Sequence, residues 1–155
     1  GTMPTRGEKR VVPFTPQQIY DLVADVDRYP EFLPWCVGAR VRKREASLLT
    51  ADLIIGYKLI RERFSSRVEL KPEEMRINVA YMDGPFRYLN NHWIFEPHEE
   101  GCVIDFHVDF EFRSRMLQKI IAVLFNEAVR RMVAAFEQRA HDLYDPVSGG
   151  AGETA

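Results

Sequence analysis

The sequence predicts an α+β fold in which one long C-terminal helix lies across a curved, seven-stranded antiparallel sheet. Apolar and polar residues alternate over positions 37–112, and apolar residues recur every three or four positions over 114–143. The apolar stripe predicted for this helix consists of Leu117, Ile120, Ile121, Leu124, Phe125, Ala128, Met132, Phe136, Ala140 and Leu143. A helix of about 30 residues is about 45 Å long, whereas seven strands spaced about 4.8 Å apart make a sheet about 30 Å wide. One helix can therefore cross the whole concave face of the sheet.

The first expected elements are a strand over 8–13 and a short helix with complete N-terminal signals. Thr15 is placed as the N-cap, Pro16 occupies the first helical position, and Gln18 completes a capping box. Apolar residues at helical spacing extend this helix to about Asp27.

The segment DVDRYPEFLPWC, residues 25–36, is irregular and yet strongly apolar. Pro30 and Pro34 exclude a long helix and a central strand, leaving room for one helical turn between them. Because the segment joins the short helix to the sheet, we expect it to close one end of the groove between the sheet and the long helix. Its apolar side chains are those of Tyr29, Phe32, Leu33, Trp35 and Cys36.

Six strands are expected between 37 and 112, each with one buried and one solvated face. The clearest is CVIDFHVDFEF, residues 102–112, in which every second residue is apolar. Turn signals rich in Gly, Pro and acidic residues separate the strands. The inward-facing residues of these strands include Phe64, Ser66, Asn91, Trp93, Phe95, Phe106 and Phe110.

One possible metal site lies on the outward face of the strand predicted over 102–112. Its candidate ligands are Asp105, His107 and Asp109. A single strand offers poor convergence of ligands, and outward strand faces are ordinarily polar. We therefore expect a solvated face here and no bound metal.

Length and composition favour one soluble globular domain, expected over 8–144, followed by a disordered Gly-rich tail over 145–155. The net charge of −2 argues against a dedicated nucleic-acid binder and in particular a DNA-binding protein, although it does not exclude a local basic patch. Cys36 and Cys102 form no disulfide framework, which indicates a reducing compartment and a cytoplasmic protein. No Ser–His arrangement or Gly-rich phosphate loop is recognisable, so neither an enzyme nor a cofactor is expected.

Basic residues recur at alternate positions of two strands, and two interpretations stay open. If the two arginine-bearing faces coincide, they form a basic outer patch that could meet RNA, an acidic protein or anionic lipid. The acids Glu45, Glu62 and Glu69 lie among them, which is typical of an ordinary solvated face. The arginines are Arg40, Arg42 and Arg44 in one strand and Arg61, Arg63 and Arg67 in the other.

The stretch MLQKIIAVLF, residues 116–125, is apolar on almost every side of the long helix. Such a helix is buried on more than one side or faces a lipid-like partner. Leu117, Ile121 and Leu124, together with the inward aromatic residues, either fill a solid core or line a ligand cavity. The residues alone leave both alternatives open.

Four stretches resemble the coenzyme Q-binding START-domain proteins, a family that joins mitochondrial ubiquinone-binding proteins to bacterial relatives, some of them called ribosome association toxins. The likeness extends from about Lys9 to Tyr144. The stretches are LVADVDRYPEFLPWC (22–36), DGPFRYLNNHWIFEP (83–97), DFEFRSRMLQ (109–118) and FNEAVRRMVAAFEQRA (125–140).

The resemblance implies a helix-grip, START-like fold with two short helices after the first strand and a hydrophobic tunnel under the long helix. It also implies a non-enzymatic carrier or chaperone of ubiquinone or a similar polyprenyl lipid that supports respiratory electron transport. Transient contact with the inner face of the cytoplasmic membrane is then expected. The alternative is a toxin that binds the large ribosomal subunit and blocks subunit joining.

The tunnel interpretation places Trp93 at the centre of the wall that faces the long helix, with Asn91 as a polar group that needs a partner. The residues expected to contact the ligand are Tyr29, Phe32, Leu33, Trp35, Phe64, Asn91, Trp93, Phe95, Phe106, Phe110, Leu117, Ile121 and Leu124.

Overall fold

The computed structural model describes residues 6–147 as one antiparallel sheet with helices on its concave face. Of the tail expected over 145–155, residues 148–155 lie outside the described part of the chain. Val147 belongs to the described part, and it donates its N–H to the Pro13 carbonyl at 2.7 Å. The strands are β1 (Arg6–Val12), β2 (Cys36–Arg44), β3 (Leu48–Tyr57), β4 (Ile60–Lys71), β5 (Arg76–Asp83), β6 (Phe86–His98) and β7 (Gly101–Phe112). The α-helices are α1 (Pro16–Ala24) and α2 (Arg115–Leu143), and 3₁₀ helices cover Val26–Glu31 and Pro72–Glu74.

The strands follow the order β1-β7-β6-β5-β4-β3-β2, and every neighbouring pair is antiparallel. The chain therefore runs along the sheet by hairpins from β2 to β7, and β1 adds to the outer side of β7. The predicted α+β class, the seven strands and the long C-terminal helix are confirmed for the described residues.

The start of α1 has the predicted capping box. The Thr15 hydroxyl accepts the Gln18 N–H at 3.1 Å, and the Gln18 side-chain oxygen accepts the Thr15 N–H at 3.0 Å. The helix ends at Ala24 rather than near Asp27, because Asp25 leaves the helical region with φ −86° and ψ 67°. The amphipathic spacing continues past this point, but the backbone has already tightened into the 3₁₀ helix.

The 3₁₀ helix Val26–Glu31 contains Pro30, so the helical turn lies before Pro34 rather than between the two prolines as expected. Its bonds run from Arg28 N–H to the Asp25 carbonyl at 3.1 Å and from Phe32 N–H to the Tyr29 carbonyl at 3.2 Å. A short 3₁₀ turn accommodates a proline near its end because few of its N–H groups need an internal acceptor.

Helix α2 starts as predicted at Ser114, whose hydroxyl accepts the Leu117 N–H at 3.2 Å. It packs against α1, β1 and β7, and its C-terminal half reaches β1 through the ion pair of Glu137 with Arg10 at 2.9 Å. Its N-terminal half is far more open, with Val123 83% and Met116 60% exposed. The residues of α2 buried in the core are Leu117, Phe125, Val129, Val133, Phe136 and Ala140. The buried stripe thus includes Val129 and Val133, which the predicted apolar face omitted.

Asp52 joins three strands on the outer face of the sheet. From its position on β3 it accepts hydrogen bonds from Arg42 Nε on β2 at 3.1 Å, and from Arg63 Nη2 at 3.0 Å and Ser65 Oγ at 2.5 Å, both on β4. Burial disfavours the charged carboxylate, but the Ser65 hydrogen bond, Arg42 and Arg63 outweigh it and hold the pKa of Asp52 below its ordinary value.

The arginines of β2 and β4 therefore lie on the same outer face of the sheet, with one exception among the predicted residues. A register shift between Val41 and Lys43 breaks the alternation of β2. Arg44 is carried to the other side, where its guanidinium binds Asp27 at 2.7 Å. The prediction that Arg44 lies on one face with Arg40 and Arg42 is wrong for this reason.

Among the described residues, no three or more His, Cys, Asp or Glu side chains are grouped so that they could hold a metal ion. This includes the outward face of β7. His107 instead stacks on His92 of β6, with ring centroids 5.0 Å apart. Burial and the nearby Arg76 lower the pKa of His92. Within residues 6–147, no helix has the length and apolar content needed to cross a membrane.

The first prediction concerns Asp52→Asn, which keeps the shape of the side chain and removes its charge. A carboxyl whose folded-state pKa is lowered adds stability above its unfolded pKa, near 4, and loses it as the pH falls through the folded value. We expect the variant to be about 1–3 kcal/mol less stable at pH 7. The difference should shrink toward zero below about pH 3.

Urea unfolding of both proteins across this pH range measures the effect. Asp83→Asn, at an exposed aspartate, is the matched control and should change stability little at any pH. A deficit of Asp52→Asn that stays the same from pH 7 to acid would contradict a stabilising charge at this position.

Candidate functional site

A cavity of about 270 Å³ lies between α2 and the inner faces of β3 to β7. Most of its wall is aliphatic or aromatic carbon, and no charged side chain contributes to it among the described residues. The half-buried residues Pro34, Trp35 and Cys36 lie in its wall, and we refer to this part of the wall as the mouth. Small-molecule sites have volumes of roughly 300–1,000 Å³. At about 270 Å³ the cavity lies just below this range, so its size suits one ring or a short apolar chain rather than a larger ligand.

Most of the side chains expected to contact a ligand come together in this wall. The expected residues that line the cavity are Tyr29, Leu33, Trp35, Phe64, Asn91, Trp93, Phe106, Phe110 and Ile121. The other expected residues, Phe32, Phe95, Leu117 and Leu124, lie outside the wall.

Contacts with other side chains explain why Phe32 and Phe95 lie outside the wall. The Phe32 ring packs on Phe136 at 5.2 Å and beneath the Arg139 guanidinium at 5.0 Å. Phe95 faces inward as predicted, but it is fully buried and its ring contacts that of Tyr20 on α1 at 6.1 Å. Alternation identifies the inner face of a strand, but it does not show where along the strand the helices fill the space.

Several wall residues were not among the expected contacts. Helix α2 contributes Phe125, Ala128, Val129, Met132 and Phe136. Ala128 and Met132 belong to the predicted apolar stripe, so the periodicity of α2 contained a signal for them. Val133, next to Met132, is fully buried in the core and lies outside the wall, whereas Val129 lines the cavity and is also buried in the core. Helix α2 therefore presents one edge of its apolar face to the core and the other edge to the cavity.

Phe136 is the centre of the aromatic cluster at the closed end of the cavity. Its ring lies 5.4 Å from Tyr29, 5.2 Å from Phe32 and 5.1 Å from Trp93, in edge-to-face arrangements. Trp93 in turn contacts Phe106 at 4.5 Å. Edge-to-face aromatic pairs contribute about 0.5–1.5 kcal/mol each beyond burial of their area. These ring contacts stabilise this end of the cavity.

The Tyr29 hydroxyl takes no part in the cavity chemistry. It donates a hydrogen bond to the Val23 carbonyl at the end of α1. Burial raises the pKa of this phenol far above its ordinary value. Tyr29 therefore offers the cavity only its ring.

Two polar side chains of the sheet face the cavity. Asn91 on β6 donates from Nδ2 to the His107 carbonyl on β7 at 2.9 Å, which leaves its second N–H and its oxygen available. Ser66 on β4 is 3% exposed, and its hydroxyl bonds to none of the described residues. Asn91 is in register, through Val79 of β5, with Val68 of β4. Because Val68 lies two residues from Ser66 on β4, the two polar groups stand roughly 12 Å apart in the sheet.

The mouth of the cavity is formed around Trp35. This residue has φ 65°, a left-handed conformation that costs a non-glycine residue about 1–3 kcal/mol. The Arg131 guanidinium of α2 lies 5.1 Å from the centre of its ring. The Trp35 carbonyl accepts the Gly56 N–H of β3 at 2.8 Å. A strained tryptophan thus bridges the long helix and the sheet at the opening.

A curved antiparallel sheet, a long helix lying across it and an apolar cavity between them define the class of START-like helix-grip proteins. The sequence profile of the polyketide cyclase / dehydrase and lipid transport family matches residues 12–137. The chain belongs to that family, and the likeness predicted from the four stretches is confirmed.

Two relatives and one solved structure illustrate the breadth of this group. The ribosome association toxin RatA of Escherichia coli (strain K12) is 36% identical over 143 residues, which cover 92% of this chain and 90% of that protein. The mitochondrial coenzyme Q-binding protein COQ10 homolog B of Xenopus laevis is 35% identical over 142 residues, covering 88% of this chain and 58% of that protein. The Zhui aromatase/cyclase of a Streptomyces species shares the fold alone, with a TM-score of 0.80 at 13% identity over 90% of this chain and 94% of that one.

The second prediction uses two neighbouring buried serines that face opposite sides of β4. Ser65 binds Asp52 on the outer face, whereas Ser66 lines the cavity and its hydroxyl has no partner among residues 6–147. Losing a hydrogen bond to a charged group costs about 1.5–3 kcal/mol, and an unpaired buried hydroxyl is itself unfavourable. We expect Ser65→Ala to destabilise the protein and Ser66→Ala to leave its stability unchanged or raise it.

Thermal and urea unfolding of the two variants, prepared in the same way without added ligand, provide the comparison. Equal losses of stability in both would mean that the Ser66 hydroxyl already has a structural partner.

Proposed function

We propose that the protein binds ubiquinone or a similar polyprenyl lipid in the cavity without transforming it, as a carrier that supports respiratory electron transport. The observation that carries the proposal is the apolar cavity with the aromatic cluster at its closed end and with the polar side chains of Ser66 and Asn91 in its wall. The relative named as a coenzyme Q-binding protein supports the same ligand class.

The geometry suits a flat ring with polar substituents. The rings of Trp93 and Phe106 supply an aromatic wall for stacking. The Ser66 hydroxyl and the second N–H of Asn91 can each donate to a ring carbonyl, which satisfies groups that are otherwise costly to bury. The sheet thereby orients the ring and the aromatic cluster limits how deeply it enters.

The tail of the lipid extends toward the mouth. The cavity volume of about 270 Å³ is too small for a ring and a complete polyprenyl chain together. Aliphatic side chains, among them Leu33, Leu53 and Ile121, lie along the wall. Each buried CH₂ contributes about 0.8 kcal/mol, so a few isoprene carbons are enough for useful affinity.

Binding without catalysis is supported by the chemistry of the wall. General acid–base catalysis needs a carboxyl, an imidazole, an amine or a similar group with a suitable pKa in contact with the substrate. The described wall contains no Asp, Glu, His, Lys or Arg side chain. The Tyr29 phenol is engaged with Val23, and burial raises the pKa of the Cys36 thiol.

The third prediction compares Trp93→Ala with Phe95→Ala by titration calorimetry with a short-chain ubiquinone. Trp93 lines the cavity, so its removal should weaken binding about tenfold or more. Phe95 is equally buried but lies outside the wall, so its truncation should cost about 3–5 kcal/mol of stability and leave the affinity of the folded protein intact.

Mass spectrometry of lipid extracted from the purified native protein tests the ligand class directly, and we expect a quinone or another isoprenoid. Failure to find any isoprenoid, together with no binding of added ubiquinone, would remove the proposal. Full affinity in Trp93→Ala would remove the aromatic wall from it.

A second candidate function is association with the large ribosomal subunit, in keeping with the relatives named as ribosome association toxins. The observation that favours it is the outer face of β2 to β4. Arg40 and Lys43 pair in register with the outward residues Asp52 and Thr50, and Arg67 pairs with Thr50 from the other side. Because Asp52 holds Arg42 and Arg63 on the same face, the cations are gathered on one surface. Such a surface suits the phosphate backbone of RNA.

The fourth prediction is that the protein sediments with large ribosomal subunits at low salt and that Arg40→Glu with Arg67→Glu abolishes this. Contacts with phosphates release counterions, so binding should fall steeply as salt rises. Arg113→Glu with Arg115→Glu, at the start of α2, is the control with the same change of charge. A wild-type protein that stays wholly at the top of the gradient at low salt excludes this function.

A further inference from the structure

The hairpin between β3 and β4 ends in a fully exposed leucine. Tyr57 pairs with Ile60, so the turn consists of Lys58 and Leu59 alone. Leu59 is 98% exposed, the highest value among the exposed large apolar residues of the described chain. Isolated apolar residues on a surface are ordinary. The surroundings of Leu59 are what distinguish it.

The turn holds its two residues in place against their conformational preference. Two-residue hairpin turns favour Gly, Asn and Asp, because central positions of the turn need a positive φ. Here Lys58 adopts φ 54°. Arg61 stiffens the turn by donating from Nη1 to the carbonyls of Lys58 and Ile60, both at 3.0 Å. A strained but braced backbone therefore projects Lys58 and Leu59 into solvent.

This tip adjoins the mouth of the cavity. Gly56, next to the turn, donates its N–H to the Trp35 carbonyl at 2.8 Å. A Cβ atom at Gly56 would lie 3.0 Å from Val37 Cγ1 and 2.9 Å from Arg61 Nη1, so these side chains pack directly over the glycine. Val37 is itself 51% exposed. Continuous contacts thus connect Trp35 at the opening to the apolar and basic residues of the hairpin.

The charge around the tip is mainly positive. Between Gly56 and Phe64 the chain carries Lys58, Arg61 and Arg63 against the single acid Glu62. Across the opening, Arg131 of α2 stacks on Trp35. Exposed apolar side chains with cations beside them are the pattern of a surface that enters the interface of an anionic bilayer.

We propose that the β3–β4 hairpin tip, residues 57–61, docks the mouth of the cavity on an anionic membrane surface. Leu59 enters the apolar boundary of the bilayer, while Lys58 and Arg131 lie at the level of the lipid phosphates. The docking gives the proposed lipid carrier a route by which an apolar molecule passes between bilayer and cavity without crossing water, and in that respect it rests on the proposed function.

The test is flotation of the full chain with vesicles of phosphatidylcholine and phosphatidylglycerol in equal parts, and with vesicles of phosphatidylcholine alone. We expect binding to the mixed vesicles that weakens as salt rises. Leu59→Glu should reduce the bound fraction about tenfold, because a charged side chain cannot enter the acyl boundary. Leu143→Glu, at a leucine 53% exposed at the end of α2, is the matched control and should bind like the wild type.

A second measurement separates docking from ligand binding. The affinity for a short-chain ubiquinone in detergent-free buffer should be the same for Leu59→Glu and the wild type, whereas transfer of the quinone from mixed vesicles should be slowed. Vesicle binding that depends on Leu59 in a protein without quinone affinity would support docking and remove the carrier function.

Three outcomes overturn the docking proposal. The first is a wild-type protein that does not float with mixed vesicles. The second is an equal loss of vesicle binding in Leu59→Glu and Leu143→Glu. The third is that Leu59→Glu no longer sediments with large ribosomal subunits while its vesicle binding is unchanged. The last outcome would assign the hairpin tip to a ribosomal partner.

Discussion

The structure depends on how α2 is held: one end is packed into the core and the other crosses the sheet above an open space. At the packed end, Phe136 meets the rings of Tyr29, Phe32 and Trp93. At the other end, the Ser114 cap fixes the start of the helix directly after β7. Because the sheet curves away between these two fixed points, the middle of α2 cannot follow it. The cavity is the space left between them.

Several energetically unfavourable features meet around this space. An apolar cavity forgoes the dispersion contacts of a filled core. Ser66 buries a hydroxyl that has no partner among the described residues. Trp35 and Lys58 hold left-handed backbone conformations beside the opening. Strain and unsatisfied groups of this kind cluster at functional sites, where a ligand or partner compensates for them. Their convergence on one end of the fold is the physical case for a binding site rather than a defect of packing.

The two faces of the sheet differ in their chemistry. The inner face presents apolar carbon and two polar groups to the cavity, while the outer face of β2 to β4 gathers cations around Asp52. One strand, β4, contributes to both, with Ser65 on the outer face and Ser66 on the inner. Because successive side chains of a strand alternate between faces, substitutions on one side leave the other chemically intact. The two proposed functions, lipid binding at the inner face and ribosome association at the outer face, are therefore separable by mutation.

The sequence by itself determined the local structure, since capping, turn and periodicity signals act over a few residues: the Thr15 cap, the strands and the helix that starts after Ser114 were predictable. The inner faces of the strands, including Ser66, followed from alternation. Only the tertiary structure decided that Phe64 lines the cavity whereas Phe95 lies beneath α1, and that a register shift moves Arg44 from the outer face. These outcomes depend on the separation of helix and sheet and on strand register, which arise from contacts between residues distant in the chain.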